Sequence, residues 1–167
     1  MTKITFVDEN DNVIGAGTRK EALEKGIIRR IVQIFLFNSK GELLIQKRSS
    51  NVLGPGKWDE SAGGQVDEGE DYHQAAQREL GEELGIKNIP LKGIAKFYAE
   101  EISEAAINKR FSMIYRANYD GEINFNKEEI SEVRWITLEK LENWMRERPE
   151  DFLQGFVKAL NVYREGT

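Results

Sequence analysis

Within the run Arg78-Glu-Leu-Gly-Glu-Glu83 the chain places three acids, Glu79, Glu82 and Glu83. On a helix that turns about 100° per residue they fall within roughly a quarter of the circumference. Like charges one turn apart cost a helix about 0.2–0.5 kcal/mol per pair, so the arrangement calls for a positive partner. A hard divalent cation fits that need. Oxygen ligands select Mg²⁺, Mn²⁺ or Ca²⁺ over zinc, and one or two carboxylates plus substrate phosphates is the usual way Mg²⁺ is held. The chain has no cysteine and a single histidine, which excludes disulfides, thiolate metal sites and cysteine nucleophiles. Arg78, four residues before Glu82, is placed to steady the group. Glu70 and Asp71 fall in the first turn of the same helix, where its dipole favours acids and a structural role suffices. An acidic helix face is by default a solvated surface, and the spacing alone does not displace that reading.

The helix that carries these acids is expected over residues 71–84, where Tyr72, Ala76, Leu80 and Leu84 recur every fourth position as one apolar stripe. The glutamates lie at the margin of that stripe, at a seam between helix and sheet. Residues 31–37 are apolar on both alternating faces, which suits a central strand covered from both sides. Asn38-Ser-Lys-Gly41 reads as a turn into a second strand over 42–48, and Gly54-Pro-Gly56 breaks regular structure before Trp58. Ahead of this, residues 4–7 and 12–16 predict a hairpin at the sheet's edge. A short helix follows over 18–25, with Thr18 as cap and Gly26 as stop. Further strands are expected at 94–101, 110–119 and 133–136, then helices near 138–146 and 151–164.

The stretch Gly64-Gln-Val-Asp-Glu-Gly-Glu-Asp-Tyr-His-Gln-Ala-Ala-Gln-Arg-Glu-Leu-Gly-Glu-Glu-Leu-Gly-Ile86 resembles the Nudix box. It matches at Gly64, Glu70, Arg78, Glu79, Leu80, Glu82, Glu83, Gly85 and Ile86. With residue types each used at roughly 7% or less, such a match by accident should be rarer than about one in a million. The order of elements around the box extends the resemblance over residues 30–136. It implies an α/β fold, an α/β/α sandwich with a mixed β-sheet. The chain then reads as one domain over 1–167: an N-terminal hairpin and short helix (1–29), a core (30–136) and C-terminal helices (137–167).

The same resemblance implies roles. Glu79 and Glu83 match the main metal ligands, Glu82 a ligand or base, and Gly63 a position whose carbonyl joins the metal shell. Glu70 and Arg78 match a pair that holds loop and helix together, with Gly64 and Gly85 as structural support. The implied activity is Mg²⁺-dependent, or Mn²⁺-dependent, hydrolysis of a pyrophosphate bond in a nucleoside diphosphate linked to another moiety, or in a similar organic diphosphate. The general base in such enzymes often lies outside the box, so Glu129 is preferred here and Glu132 is the alternative.

Outside the box, Lys47 and Arg48 close a strand, and Arg48 is taken as a substrate-phosphate contact. Trp58 is read as a core plug rather than a base-stacking platform, Trp135 as core, and His73 as solvated.

Two rival readings stand. Residues 35–44 and Gly54-Pro-Gly-Lys-Trp58 resemble isopentenyl-diphosphate isomerase, a relative of the Nudix superfamily. Those isomerases carry a cysteine near the position of Gly63 and a histidine near that of Gln65. Where they place an acidic pair, this chain has Asn108-Lys-Arg110. The other rival is a noncatalytic module that senses a nucleotide, which loss of a box glutamate would favour; none is lost. The net charge of −5 and pI near 5.2 disfavour a nucleic acid polymer or an anionic membrane as partner. With no apolar run of membrane length or secretory leader in the sequence, the expectation is a cytoplasmic protein acting on a small-molecule diphosphate, as monomer or homodimer.

Overall fold

The first strands along the chain pair with each other. In the computed structural model, which describes residues 2–166, β1 (Ile4–Val7) and β2 (Val13–Gly17) form an antiparallel hairpin. Helix α1 (Arg19–Lys25) follows, capped by Thr18 Oγ1, which accepts from the Glu21 N–H. It is stopped by Gly26 at φ 70°, a left-handed turn that glycine enters without steric cost. The core strands β3 (Ile28–Phe37) and β4 (Leu43–Arg48) come next, then two short strands, β5 (Trp58–Asp59) and β6 (Ala62–Gln65). Helix α2 (Tyr72–Leu84), strands β7 (Lys92–Ile102), β8 (Ile107–Asn118) and β9 (Ile130–Ile136), and helices α3 (Leu138–Glu147) and α4 (Gln154–Glu165) complete the order.

All nine strands join one mixed sheet with β3 at its centre. Strand β3 runs parallel to β8 from Arg29↔Arg110 to Phe37↔Asn118, and antiparallel to β1, β4 and β6. The hairpin ends in β2 at the edge of the sheet, as its sequence predicts. Strands β3 and β4 share one register pair, Phe37↔Leu43, and then diverge. Into the opening come β6, paired with β3 from Ile31↔Gln65 to Ile34↔Ala62, and β5, paired with β4. The fully buried Ser61 closes the narrow end: its hydroxyl accepts from the Leu36 N–H at 2.9 Å and donates to the Leu44 carbonyl at 2.6 Å. A side chain thus stands in for the missing strand-to-strand bonds.

Alternation along β3 divides the core. Val32, Ile34 and Leu36 face Ala76, Leu80 and Leu84 of α2, whereas Phe35 and Phe37 face Leu141 of α3 and Phe156, Leu160 and Tyr163 of α4. This is the α/β/α sandwich. Each fully buried Leu or Phe contributes about 1.5–3 kcal/mol of transfer free energy, so both faces of β3 hold helices firmly. Trp58 is buried among the α4-side residues and meets Trp144 edge-on at 5.6 Å, which makes it the core plug its sequence suggests. Trp135 is half-buried against the α2-side cluster.

One sequence expectation needs amending. Residues 62–65 read as glycine-rich loop, yet they form β6, because backbone pairing with β3 outweighs the low strand propensity of two glycines. No helix among the described residues is long and apolar enough to cross a membrane.

Candidate active site

Helix α2 is anchored at both ends. Asp71 is its N-cap: Oδ1 accepts from the Gln74 N–H at 2.7 Å, and Gln74 Oε1 accepts from the Asp71 N–H at 2.9 Å, a reciprocal capping box. Gly85 ends the helix at φ 69°, its N–H bonded back to Gly81 at 3.1 Å. Glu70 does not serve the helix dipole; it reaches Arg78. The Arg78 guanidinium donates to Glu70 at 2.8 and 3.0 Å, to the Gln65 carbonyl at 2.9 Å, to Glu79 at 2.8 Å and to Glu82 at 3.2 Å. This fork ties loop, β6 and helix together, and the hydrogen bonds it donates to Glu70 hold the guanidinium firmly protonated.

Two of the three clustered glutamates turn inward. Glu83 is 4% exposed; one carboxylate oxygen accepts from Gln46 Nε2 of β4 at 2.9 Å, the other from the Gly63 N–H of β6 at 3.0 Å. Burial, then the facing charge of Glu79, pushes the Glu83 carboxyl well above the usual range. Glu79, with its side chain 13% exposed, is also raised by burial, an effect that Arg78 opposes. Its carboxylate rests on Gly64, where any Cβ would fall inside it; a Cβ at Gly63 would lie 2.6 Å from the Val32 carbonyl. Only glycine lets the strand approach this closely. Beside Gly63, the buried Glu60 accepts from Gln33 Nε2 at 2.8 Å and is pushed well above its ordinary value by burial and by Asp59.

These groups line one end of a cleft of about 1090 Å³. Gly63, Gly64, Glu79, Glu83, Arg48 and Glu129 all face it. Arg48 donates through Nε to the Leu53 carbonyl at 3.0 Å and lies 3.9 Å from Asp59. Glu82 is not brought to this cleft: its side chain is 58% exposed, held by Arg78 over a separate shallow hollow with Lys87 and Asn88. Glu132 lies on the surface, 3.3 Å from Arg134. Lys47 extends over the Trp58 ring, and His73 is exposed, edge-on to Tyr115.

Sequence reasoning missed Glu60, Gln46, Gln33, Arg29 and Arg110. The acidic pair Asp59-Glu60 shortly before Gly63-Gly64 is a local signal that was available. The glutamines and arginines carry none, since they meet the site only through strand pairing.

The donor set suits a hard cation. It is all oxygen: Glu79, Glu83 and the Gly63 carbonyl, which in an antiparallel strand points to the same side as the N–H given to Glu83. The Gln46 Oε1 atom beside them is buried with no hydrogen-bond partner among the described residues. Among the described residues no three acidic or histidine side chains form a closed cage, so the preformed part is a carboxylate pair, the number hard cations use when phosphate completes the shell.

A model of the NUDIX domain matches residues 28–156. A Pseudomonas aeruginosa protein named as an uncharacterized Nudix hydrolase is 38% identical over 161 residues, covering 96% of this chain and 92% of that protein. A Photorhabdus laumondii protein named isopentenyl-diphosphate Delta-isomerase 2 is 32% identical over 160 residues, covering 95% and 90%. Among solved structures, a Deinococcus radiodurans protein superposes with a TM-score of 0.76 at 31% identity, over 97% of this chain and 98% of that one. The matched region starts at the first residue of β3 and runs into α4, taking in both walls of the glutamate end of the cleft, and by that extent the chain belongs to the Nudix hydrolase family.

Proposed function

We propose that the cleft cleaves a phosphoric anhydride in a small organic diphosphate, with Mg²⁺ or Mn²⁺ held by Glu79, Glu83 and the Gly63 carbonyl. The observation that carries this is the pair of adjacent inward-facing carboxyls over Gly63-Gly64, both raised by burial. Buried acids that repel each other are costly unless a cation joins them. Such a cation supplies charge neutralisation on the bridging phosphates and acidifies bound water.

The chain's own groups then set the geometry. Gln46 and the Gly63 N–H orient Glu83; Arg78 orients Glu79 and, through Glu70, fixes the preceding loop. Glu82 stands one turn from Glu79 on the same arginine and would serve the site from there as a further ligand or as a base. Glu129, on the connection into β9, faces the cleft and takes the proton of the attacking water. Arg48 contacts a substrate phosphate from the β4 wall. Replacing Glu129 by Gln is expected to lower kcat by about 100-fold or more with KM little changed and to remove one limb of the pH–rate profile. An unaltered profile moves the base elsewhere.

The isomerase reading has a specific observation behind it, the relative so named at 32% identity. Against it, the resemblance puts Gly63 and Gln65 of this chain near the positions where isomerases of that kind carry a cysteine and a histidine, and neither residue can transfer protons as those do. The deciding experiment incubates the protein with Mg²⁺ and nucleoside di- and triphosphates, nucleotide sugars, ADP-ribose, dinucleotides and isopentenyl diphosphate, following released phosphate or monophosphate, with metal omitted as control. Metal-dependent release supports hydrolysis. Conversion of isopentenyl to dimethylallyl diphosphate supports isomerisation, and binding without turnover supports a sensing module.

A further inference from the structure

The same cleft also carries a cationic patch. Arg29 of β3 and Arg110 of β8 sit side by side in register, and Arg19, at the start of α1, lines the same cleft. Their neighbours hold them through mostly neutral groups: Arg29 Nε donates to Gln65 at 3.0 Å and Nη1 to Asn108 at 2.5 Å. Arg110 is 6% exposed. Its Nη2 donates to Glu101 at 3.1 Å, a carboxylate whose side chain is 56% exposed, and its Nη1 is buried with no acceptor among the described residues. Burial, with repulsion from Arg19 and Arg110, brings the Arg29 guanidinium down to about 10, so it stays charged at neutral pH. One exposed carboxylate against three arginines leaves net positive charge in a partly desolvated place, a costly arrangement unless an anion completes it.

A second feature aims at the same spot. Helix α4 starts here with no side-chain cap, and Gln154 and Gly155 of its first turn line the cleft, so the positive end of its dipole adds to the arginines. Gly155 also connects the acids to the arginines. Its carbonyl accepts from Gln33 Nε2 at 3.2 Å, the nitrogen that also donates to Glu60 beside Gly63, and a Cβ on Gly155 would lie 3.8 Å from Arg110 Nη2. Gln33 thus touches both the acidic side of the cleft, at Glu60, and the start of α4 beside Arg110, so one polyphosphate chain lying along the cleft would meet both.

We infer that Arg110, Arg29 and Arg19, with the first turn of α4, bind an uncapped terminal phosphate. The substrates are then nucleoside di- or triphosphates rather than diphosphates esterified at both ends. This rests on the hydrolase reading. A terminal phosphate carries close to two negative charges at neutral pH, a doubly esterified one carries one, and the guanidinium fork matches its free oxygens. Glu101, exposed at the rim, yields its place on Arg110 to the incoming phosphate.

The test compares UTP with UDP-glucose for wild type, Arg110→Gln, Arg110→Lys and Arg29→Gln. Arg110→Gln should lower kcat/KM for UTP by about 10- to 100-fold, the equivalent of one charged hydrogen-bonded contact, mainly through KM, with Lys recovering part of the loss and any weaker UDP-glucose turnover falling by a clearly smaller factor. Equal losses on both substrates, no loss on UTP, or a wild type that turns over only UDP-glucose would each overturn the proposal. Calorimetric titration with inorganic phosphate in EDTA removes dependence on turnover. Wild type and Glu83→Gln should bind, and Arg110→Gln and Arg29→Gln should bind at least about tenfold more weakly. Phosphate binding unaltered in both arginine variants, or absent from wild type, defeats the inference even if hydrolysis is robust; loss of hydrolysis alone defeats only the hydrolase reading. Arg110→Lys, which keeps the charge, serves as the folded control.

Discussion

Glu83 receives two donors, the Gln46 amide and the Gly63 N–H. In Glu83→Gln one oxygen still accepts, while the new amide faces a donor; the loss of that bond is offset by removal of a buried charge repelled by Glu79. Stability should change by no more than about 1.5 kcal/mol, while metal-dependent turnover falls by orders of magnitude. Glu82→Gln should also reduce turnover with the fold intact, but less, because Glu82 is the exposed member. Steady-state rates beside thermal melts check both, and near-normal activity in the two variants would refute the site. The raised carboxyls of Glu60, Glu79 and Glu83 also set a pH dependence. With folded-state values above the unfolded ones, their contribution to stability is complete below the ordinary carboxylate range and is lost as pH rises through the raised values. Metal-free protein should therefore melt at lower temperature at pH 8 than at pH 6, and Mg²⁺ should raise the melting temperature more at the higher pH; the opposite order would show that these acids are not strained. At this scale the sequence was informative where partners are helical neighbours, as with Arg78, Glu79 and Glu83. It was silent where they are distant, as with Gln46, which is 37 residues from Glu83.

Among the elements, β6 illustrates how pairing overrides composition. Ala62-Gly-Gly-Gln65 lacks every residue type that favours strands, and its register on β3 comes from backbone bonds that no local pattern announces. Helix α2, by contrast, was legible in its extent, because its apolar stripe repeats locally along the chain, although Asp71, read as a first-turn acid, is the N-cap and Gly85 the stop. Their meeting point supplies a test. Gly64→Ala inserts a methyl into the Glu79 carboxylate, which must turn away. We expect at least about a tenfold loss of turnover and a weaker apparent Mg²⁺ affinity, for a stability cost of about 1–3 kcal/mol. Activity titrated against Mg²⁺ and urea unfolding would measure the two effects, and an unchanged Mg²⁺ titration would show that Glu79 need not lie where it does.

Across the whole molecule, the N-terminal segment lies outside the family-matched region yet is bound firmly to it. Asp11, at φ 62°, accepts from Arg30 and Lys96 at 2.7 Å each and from the Tyr72 hydroxyl at 2.9 Å. Burial alone would raise its carboxyl, but these donors prevail and keep it below the usual range. Asp11→Asn tolerates the same backbone but removes the charge and turns one accepting oxygen into a donor that faces donors, so a loss of about 1.5–3 kcal/mol, with faster amide exchange in β1 and β2, is expected. Exchange as slow as in wild type would mean the hairpin is held by its apolar contacts alone. The sequence showed this hairpin and α1 but not their use, since Asp11 and Arg19 become meaningful only once β3, β7 and β8 lie beside them. The parting of β3 from β4 after one register pair has a different kind of consequence. The rungs that hold the sheet together and the gap where its backbone is handed over to Ser61, Gln46 and Glu83 are separate places. Exchanging side chains around that gap can give the same scaffold a new appetite while its ladder stays as it is.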